Sequence, residues 1–390
     1  MQGIEKQYCD VAINAEITAW RELFESSAAE TLAQVRYGKG DTLGLDAIPE
    51  ICIARRIRDF DDHAIFVTEE LDEAAKRRWP SDSDPVRQPL MFFCDPTDRS
   101  SFLKRFIQEI SKGQELQKLG ILMGREKSIS IWNQMFEAPA SITGATTSIT
   151  CVRKGEIIFS VILNYITQTI FVASPAGVFN LKLPRFTDKH LDTIDLEHIC
   201  KHGKRLEFLT ASELCATADD RKRFVTFLGS PNKAGYRENF DDCMIFVAKD
   251  QKDAFVHHTQ PGGPARILYL SELQKNHGPI GFIMANGEKI GEWIHWLAFV
   301  RFARNAQGEP VMKIFEVSTD RPWVKEGVLM STAKPYSIFS STDDYVYLDI
   351  SRLKNFVIPS KFRSMLVVTP SDNDSIIHIM RQHQYREISI

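Results

Sequence analysis

The sequence lacks the features that mark membrane, secreted and nucleic-acid-binding proteins. It contains no run of about 18 apolar residues, and therefore no candidate membrane span. A formal net charge of −3 provides no basic surface for nucleic acid. The N-terminal residues do not show the basic-then-apolar pattern of a signal peptide. These absences predict a protein that binds neither membranes nor nucleic acid.

Cysteine pairs are also absent. The seven cysteines are scattered, odd in number and never spaced as C-x-x-C. This pattern argues against a disulfide framework and against a zinc site. We therefore expect reduced thiols and a cytoplasmic location.

The composition is that of a folded protein with more than one core. Hydrophobic residues make up 43% and charged residues 25% of the 390 positions, which are globular values. Because this length exceeds one ordinary core, we expect two domains, with a single large layered unit as the alternative. The chain becomes polar and irregular between Asn180 and Asp195. We place the boundary there, with an N-terminal α+β domain over 1–185 and a C-terminal α/β domain over 186–390.

Hydrophobic periodicity predicts helices at the start of the chain. Apolar residues at steps of four, three and four indicate an amphipathic helix over 7–25. Ser27 and Glu30 form a capping-box pattern that opens a second helix. Pro49 is typical of a helical first turn, so we expect a third helix to begin near it.

Short β-rich runs predict two groups of strands. In the first half they cover 64–67, 90–94, 148–153, 157–163 and 169–173, with a Lys154-Gly155 hairpin turn and a further turn over 176–179. In the second half they cover 224–228, 243–248, 280–285, 311–317 and 364–368, and with the intervening helical segments they favour a second sheet.

Two of the strands are followed by carboxylates. The run 64–67 leads into Glu69-Glu70, and the run 90–94 leads into Asp95-Pro96-Thr97-Asp98. Neighbouring strand ends would place these acids on one sheet rim, where oxygen ligands suit a hard cation such as Mg²⁺. The alternative is a pair of acidic turns without a metal.

These residues resemble the Glu-Glu and Asp-Pro-x-Asp-Gly-(Thr/Ser) motifs of the Mg²⁺-dependent, lithium-sensitive phosphatases. That superfamily includes the inositol monophosphatases and fructose bisphosphatases. Asp46, which lies 23 residues before Glu69, has the spacing of the upstream metal-site aspartate of the family. The resemblance covers roughly the first half of the chain. It implies an α+β fold, built as a layered α-β-α-β-α sandwich.

The resemblance also implies a cofactor, roles for individual residues and a type of partner. The side chains of Glu69, Asp95 and Asp98 and the backbone carbonyl of Thr97 would be ligands of Mg²⁺. Asp46 and Ser100 would activate water together with Glu69. Arg99, Ser100 and Ser101 would bind the substrate phosphate at a helix N-terminus. The partner would be a small phosphorylated substrate, and dimerisation is common in the family, so a homodimer is a candidate assembly.

The chain departs from the family pattern at two motifs. Arg99 occupies the position of the motif glycine, where it could clamp a second phosphate, fill the pocket or adopt a conformation better suited to glycine. The later Trp-Asp-x-Ala motif has only a degraded counterpart in 291–299, with His295 or Leu297 in place of the aspartate. His295 is either a ligand for a softer metal or a packed core residue.

A further departure is the apolar segment 102–140, which is longer than the connection in the small phosphatases. Its residues Phe102, Phe106 and Ile110 have helical spacing. It is expected to pack as a lid over the site, as an oligomer surface or as an extra helical layer.

Two functions follow from the sequence, and a third possibility, an assembly protein that uses the inserted segment 102–140, rests on hydrophobicity alone. The first is a metal-dependent phosphatase that hydrolyses a sugar, inositol or other polyol, or nucleotide phosphate with metal-activated water. The second is a catalytically impaired relative that binds a phosphorylated ligand or a partner protein. Arg99 and the missing aspartate of the Trp-Asp-x-Ala motif favour the impaired relative. The four carboxylates Asp46, Glu69, Asp95 and Asp98 favour the phosphatase, because a cluster of acids without a role is costly.

Overall fold

The computed structural model describes residues 3–36, 40–70, 78–80, 87, 90–214, 225–229, 256–259, 282–285, 290–316, 334–335, 337–342, 346–353, 362–363, 365–382 and 385–388. The predicted strand over 243–248 lies outside these residues. The other predicted strands fall at least partly within them.

The first half of the chain builds an eight-stranded mixed sheet. Its order is β2-β1-β3-β4-β5-β6-β7-β8, with β1 parallel to β3 and the other neighbours antiparallel. The strands are β1 (Ile65–Thr68), β2 (Arg78–Trp79), β3 (Leu90–Asp98), β4 (Thr146–Arg153), β5 (Glu156–Asn164), β6 (Thr169–Ser174), β7 (Gly177–Lys182) and β8 (Lys204–Leu206).

This sheet confirms most of the predicted strands and corrects two bounds. The Lys154-Gly155 turn joins β4 to β5, and both residues have positive φ, as a tight hairpin requires. The turn predicted over 176–179 is wrong because β7 already begins at Gly177 and pairs with β6 from that residue. β3 does not stop before Asp95 but continues through Asp98.

Helices α1 (Ile4–Glu25), α2 (Ala28–Leu32) and α3 (Gly44–Phe60) cover one face of the sheet. The predicted capping box is confirmed: the Ser27 side chain accepts a hydrogen bond from the Glu30 N–H, and the Glu30 carboxylate accepts one from the Ser27 N–H. The predicted start of α3 near Pro49 is wrong, since the helix begins at Gly44. There the Gly44 N–H donates to the Ala33 carbonyl, and a Cβ at this position would lie 2.2 Å from the Glu30 carbonyl oxygen.

The inserted segment packs into the core of the same face. It forms α4 (Ser100–Ile110), α5 (Leu119–Leu122), α6 (Arg125–Phe136) and α7 (Ala140–Thr143). Phe106 and Trp132 are fully buried with ring centroids 5.4 Å apart, and Leu119 is buried as well. Of the three readings of this segment, the extra helical layer is the one that these contacts support.

Among the described residues, the remaining α-helices are α8 (Leu196–His202), α9 (Ala211–Leu214), α10 (Ile290–Phe302) and α11 (Asp374–Gln382). α10 packs on the other face of the eight-stranded sheet. Its residues Trp293, Trp296 and Phe299 share one buried cluster with Phe93 of the first sheet and Leu366 of a second one. α10 is therefore a helical layer between two sheets.

The second sheet has six strands in the order β10-β9-β11-β17-β12-β18. The strands of the second half are β9 (Val225–Gly229), β10 (Val256–Thr259), β11 (Phe282–Ala285), β12 (Met312–Glu316), β13 (Lys334–Pro335), β14 (Phe339–Ser341), β15 (Val346–Leu348), β16 (Phe362–Arg363), β17 (Met365–Pro370) and β18 (Arg386–Ile388). α11 follows β17 and buries Ile377 and Met380. The predicted α+β class with layered α-β-α-β-α order is thus confirmed.

Two further findings concern the described residues only. None of their helices is long and apolar enough to cross a lipid bilayer. Cys9, Cys52, Cys94, Cys151 and Cys200 are free thiols.

Truncating a buried aromatic residue of the inserted segment is expected to destabilise the whole fold. Trp132→Ala should lower the free energy of unfolding by about 3–5 kcal/mol, because it leaves a large cavity. Ile121→Ala in the same segment should change it by less than about 0.5 kcal/mol, since this side chain is 69% exposed. Urea denaturation followed by circular dichroism measures both. Equally small effects would show that the segment is peripheral to the core.

Candidate active site

A β-bulge brings the two aspartates of the Asp95–Asp98 turn to one face of the sheet. Asp95 pairs with Ser148 and Asp98 with Thr146, so three steps along β3 match two steps along β4. Cross-strand partners point to the same face, and so do residues two apart on one strand. Both aspartates therefore point to the face that α10 covers. Without the bulge, Asp95 and Asp98 would point to opposite faces.

The end of β1 lies beside these aspartates. Val67 is paired with Phe93 and Thr68 with Cys94, so the next position, Glu69, follows beside Asp95. β1 ends at Thr68, so Glu69 and Glu70 lie in the bend that follows it. The Thr42 hydroxyl donates to Glu70 Oε2 at 2.7 Å. Glu69 thus follows the strand next to β3, while Glu70 fixes the loop that leads into α3.

Asp46 reaches the same rim through a contact between α3 and the Asp95–Asp98 turn. Pro49 has no N–H and cannot donate to the carbonyl of Leu45, four residues earlier. The single hydrogen of the Thr97 hydroxyl is shared between two carbonyls at 2.7 Å, that of Leu45 and that of Pro96, and on Leu45 it takes the place of the missing donor. Asp46 follows Leu45 directly, is only 5% exposed, and its Oδ2 accepts a hydrogen bond from the Leu43 N–H at 3.3 Å.

Two buried hydroxyl groups that the sequence did not single out hold the backbone of this turn. The Thr147 hydroxyl donates to the carbonyl of Asp95 at 3.3 Å, and the Tyr165 hydroxyl donates to that of Pro96 at 3.2 Å. Both residues are fully buried. Thr147, directly before the predicted strand over 148–153, was the available signal, because a buried hydroxyl needs a partner.

Two buried glutamates lie beneath the turn, and the sequence analysis missed both. Glu16 of α1 and Glu50 of α3 have no exposed surface. Burial raises the pKa of Glu16 well above its usual value, which favours a neutral carboxylic acid. Burial also raises the pKa of the Cys94 thiol, and Glu16, Glu50 and Asp95 raise it further. The signal for Glu16 was its position three residues after Ile13, on the apolar face of α1.

The residues predicted to bind phosphate lie at the N-terminus of α4. Arg99 is the N-cap, Ser100 is half-buried in the first helical position, and Ser101 follows on the exposed side. The carbonyl of Arg99 accepts hydrogen bonds from Phe102 and Leu103. The N–H groups of Ser100 and Ser101 precede the first helical donors, so they have no acceptor within the helix. Such a terminus favours an anion.

α10 has no aspartate at either position that aligns with the aspartate of the Trp-Asp-x-Ala motif, His295 or Leu297. His295 is fully buried, and its Nδ1 forms a hydrogen bond with the Thr150 hydroxyl, which donates in turn to Ser160 Oγ at 2.7 Å. Burial lowers the pKa of His295 to about 3, so its ring is neutral at ordinary pH. Leu297 is buried among apolar residues. Of the two readings of His295, the packed core histidine agrees with these contacts.

The predicted ligands match the requirements of Mg²⁺ in their chemistry but not in their spacing. Their chemistry fits, since all are oxygen donors at one rim of the sheet. Their spacing in this structure does not form a ligand shell: among the described residues, no three Asp, Glu, His or Cys side chains lie close enough together to hold one ion. A shell formed by Glu69, Asp95 and Asp98 therefore requires side-chain rearrangement.

Comparisons with known proteins found similar solved structures but no matching family model. No family model matches the sequence, and no curated protein matches it. Among solved structures, the chain is similar to CysQ from Bacteroides thetaiotaomicron, described as a bacterial member of the inositol monophosphatase family, with 11% identity, a TM-score of 0.49 and coverage of 94% of this chain and 98% of that chain.

Two other solved structures were found with comparable scores. An inositol monophosphatase from Anabaena (Nostoc) sp. PCC 7120 has 12% identity, a TM-score of 0.47 and coverage of 96% of both chains. The extragenic suppressor protein SuhB from Bartonella henselae has 16% identity, a TM-score of 0.43 and coverage of 76% of this chain and 85% of that chain.

Proposed function

We propose that this protein is a metal-dependent phosphatase that acts on a small phosphorylated metabolite. The observation that carries the proposal is the β-bulge at the end of β3, which turns Asp95 and Asp98 to one face beside Glu69. The N-terminus of α4 follows immediately. Carboxylates for a cation and backbone donors for an anion thus lie next to each other.

In this proposal each residue has a defined task. Glu69, Asp95, Asp98 and the carbonyl of Thr97 hold the cation. When bound, Mg²⁺ polarises phosphoryl oxygens and lowers the pKa of coordinated water. The N–H groups at Arg99, Ser100 and Ser101 bind the phosphate. The Ser100 hydroxyl orients the attacking water, and the Asp46 carboxylate accepts its proton.

A sugar, polyol or nucleotide phosphate is the proposed substrate class. The phosphate provides the negative charge that the cation and the helix N-terminus recognise. The proposal includes a homodimer, which is based on the motif resemblance given above, and a cytoplasmic location, which is based on the scattered cysteines.

The second candidate is a phosphate-binding protein without turnover, and Arg99 favours it. Arg99 has φ 63° and ψ 36°, a left-handed conformation that costs a non-glycine residue about 1–2 kcal/mol. Its guanidinium donates to the Thr143 carbonyl at 3.0 Å and stacks over Phe102. The side chain therefore anchors α4 to α7, and this anchoring offsets the backbone strain.

The enzyme reading predicts that Asp95→Asn abolishes hydrolysis. The substitution keeps the shape of the side chain but removes a charged ligand, so the rate with Mg²⁺ should fall by about a hundredfold or more. Phosphate release from a panel of sugar, polyol and nucleotide monophosphates measures this. Asp62→Asn is the matched control, because Asp62 is exposed in the turn after α3.

Calorimetry with Mg²⁺ and a phosphate ester separates the two candidates. Ester binding without product in the wild-type protein would support the binding protein and contradict the phosphatase. Binding of neither the cation nor the ester would overturn both. Retained activity in Asp95→Asn would show that the metal site lies elsewhere.

The strain at Arg99 predicts a stability difference between two substitutions. Arg99→Gly and Arg99→Ala both remove the guanidinium, but only glycine adopts the left-handed conformation without strain. Arg99→Gly should therefore be more stable than Arg99→Ala by about 1 kcal/mol. Urea denaturation compares the two directly. Equal stabilities would mean that the N-cap of α4 is not strained.

A further inference from the structure

Three arginines meet around one turn at the C-terminal end of α10. Arg301 lies in the last turn of the helix, and Arg304 follows it. The next residues, 305–309, form a turn in which the Gly308 N–H donates to the Asn305 carbonyl. Arg205 of β8 reaches this turn, since a Cβ at Gly308 would lie 3.5 Å from its Nη2. The backbone of Phe208 also donates to the Arg304 carbonyl at 3.0 Å.

Two of these arginines have structural partners. Arg301 forms an ion pair with Glu156 at the start of β5. Arg304 Nη1 donates to the carbonyls of Arg301 and Ala303 at 2.8 and 2.9 Å. A cation at this position satisfies carbonyls that a helix C-terminus leaves open. The positions of Arg301 and Arg304 are therefore explained without a ligand.

Arg205 has no such explanation. Among the residues that the structure describes, it makes no ion pair, and its buried Nε has no hydrogen-bond partner. Nη1 of Arg301 is also buried and lacks an acceptor. Leaving buried charged donors unsatisfied is costly. Placing Arg205 beside two further guanidinium groups adds repulsion, which contributes to lowering the pKa of Arg304, after the larger effect of burial.

The acidic groups near the turn do not neutralise the three charges. Glu156 is occupied by Arg301. Glu309 lies on the turn itself, where its Oε2 accepts a hydrogen bond from Asn305 Nδ2 at 3.1 Å. No other described carboxylate forms an ion pair with the three arginines. The net charge around the turn is therefore positive. Nε of Arg205 and Nη1 of Arg301 remain as N–H donors without an acceptor.

We propose that Arg205, Arg301 and Arg304 form an anion site that binds a phosphate-type oxyanion, either free phosphate or the phosphate of an ester. Guanidinium groups bind such oxygens in bidentate fashion. The site is distinct from the candidate active site. β8 lies five strand spacings from β3 in the sheet, which corresponds to about 24 Å. The proposal of this arginine site does not depend on the proposed phosphatase activity.

The test is binding of inorganic phosphate to the full chain, in EDTA and at low ionic strength. Isothermal calorimetry should show one site in the wild-type protein. Arg205→Gln should weaken it about tenfold or more, the loss expected for a charge-assisted hydrogen bond. Arg55→Gln is the matched control, because it removes the same charge from an exposed position on α3. A phosphate monoester in a parallel titration distinguishes esters from the free ion.

Thermal unfolding gives a second test, because Arg205→Gln should affect the unfolding temperature differently without and with phosphate. Without phosphate, Arg205→Gln should unfold at the same or a higher temperature than the wild-type protein, because a repulsive charge is removed. With phosphate, only the chains that keep Arg205 should gain stability beyond that given by sodium chloride at equal ionic strength. A residue that merely packs would lower the midpoint under both conditions.

The outcomes separate this site from the active site. Phosphate binding in EDTA that is lost in Arg205→Gln and kept in Arg55→Gln supports the proposal. Binding that Arg205→Gln leaves unchanged assigns the anion to another site, such as the N-terminus of α4, and overturns it. The absence of any phosphate effect beyond that of chloride overturns it as well. None of these results depends on turnover.

Discussion

The hydrogen bond between Thr97 and the Leu45 carbonyl is the contact on which the candidate site depends. A proline inside a helix normally weakens it, because a donor is missing and the ring crowds the preceding turn. Here the missing donor at Pro49 leaves a carbonyl open in the first turn of α3, and the loop after β3 provides the donor. Asp46 on the helix and the Asp95–Asp98 turn on the strand are thereby fixed side by side.

The rest of the site follows from buried polar groups placed around that contact. The hydroxyls of Thr147 and Tyr165 hold the turn backbone from the sheet, and the bulge sets the direction of the two aspartates. Glu16 lies below them, where burial raises the pKa of its carboxyl group well above the usual value and favours the neutral acid.

The fold was largely predictable from the sequence, whereas the geometry of the site was not. Periodicity located α1 and the meander of β4, β5 and β6, and local chemistry located the Ser27–Glu30 cap, because these signals lie within a few residues of each other. The start of α3 was missed because it depends on the close approach of Gly44 to α2. The contacts of Thr97 with Leu45 and of Tyr165 with Pro96 join residues 52 and 69 positions apart, and no local pattern encodes them. The motif resemblance named the carboxylates but not the groups that hold them.

Arg99 in place of the motif glycine bears on both candidate functions, the phosphatase and the phosphate-binding protein without turnover. Phosphate binding at a helix N-terminus uses backbone N–H groups, and arginine retains its own. The side chain is turned to Thr143 and Phe102, so the guanidinium is engaged in packing α4 against α7. Arginine in place of the glycine therefore strains the backbone at the N-terminus of α4 without removing a donor for the phosphate. A site altered in this way keeps the groups that recognise phosphate, and whether it also hydrolyses an ester depends on how closely Glu69, Asp95 and Asp98 can approach a common ion.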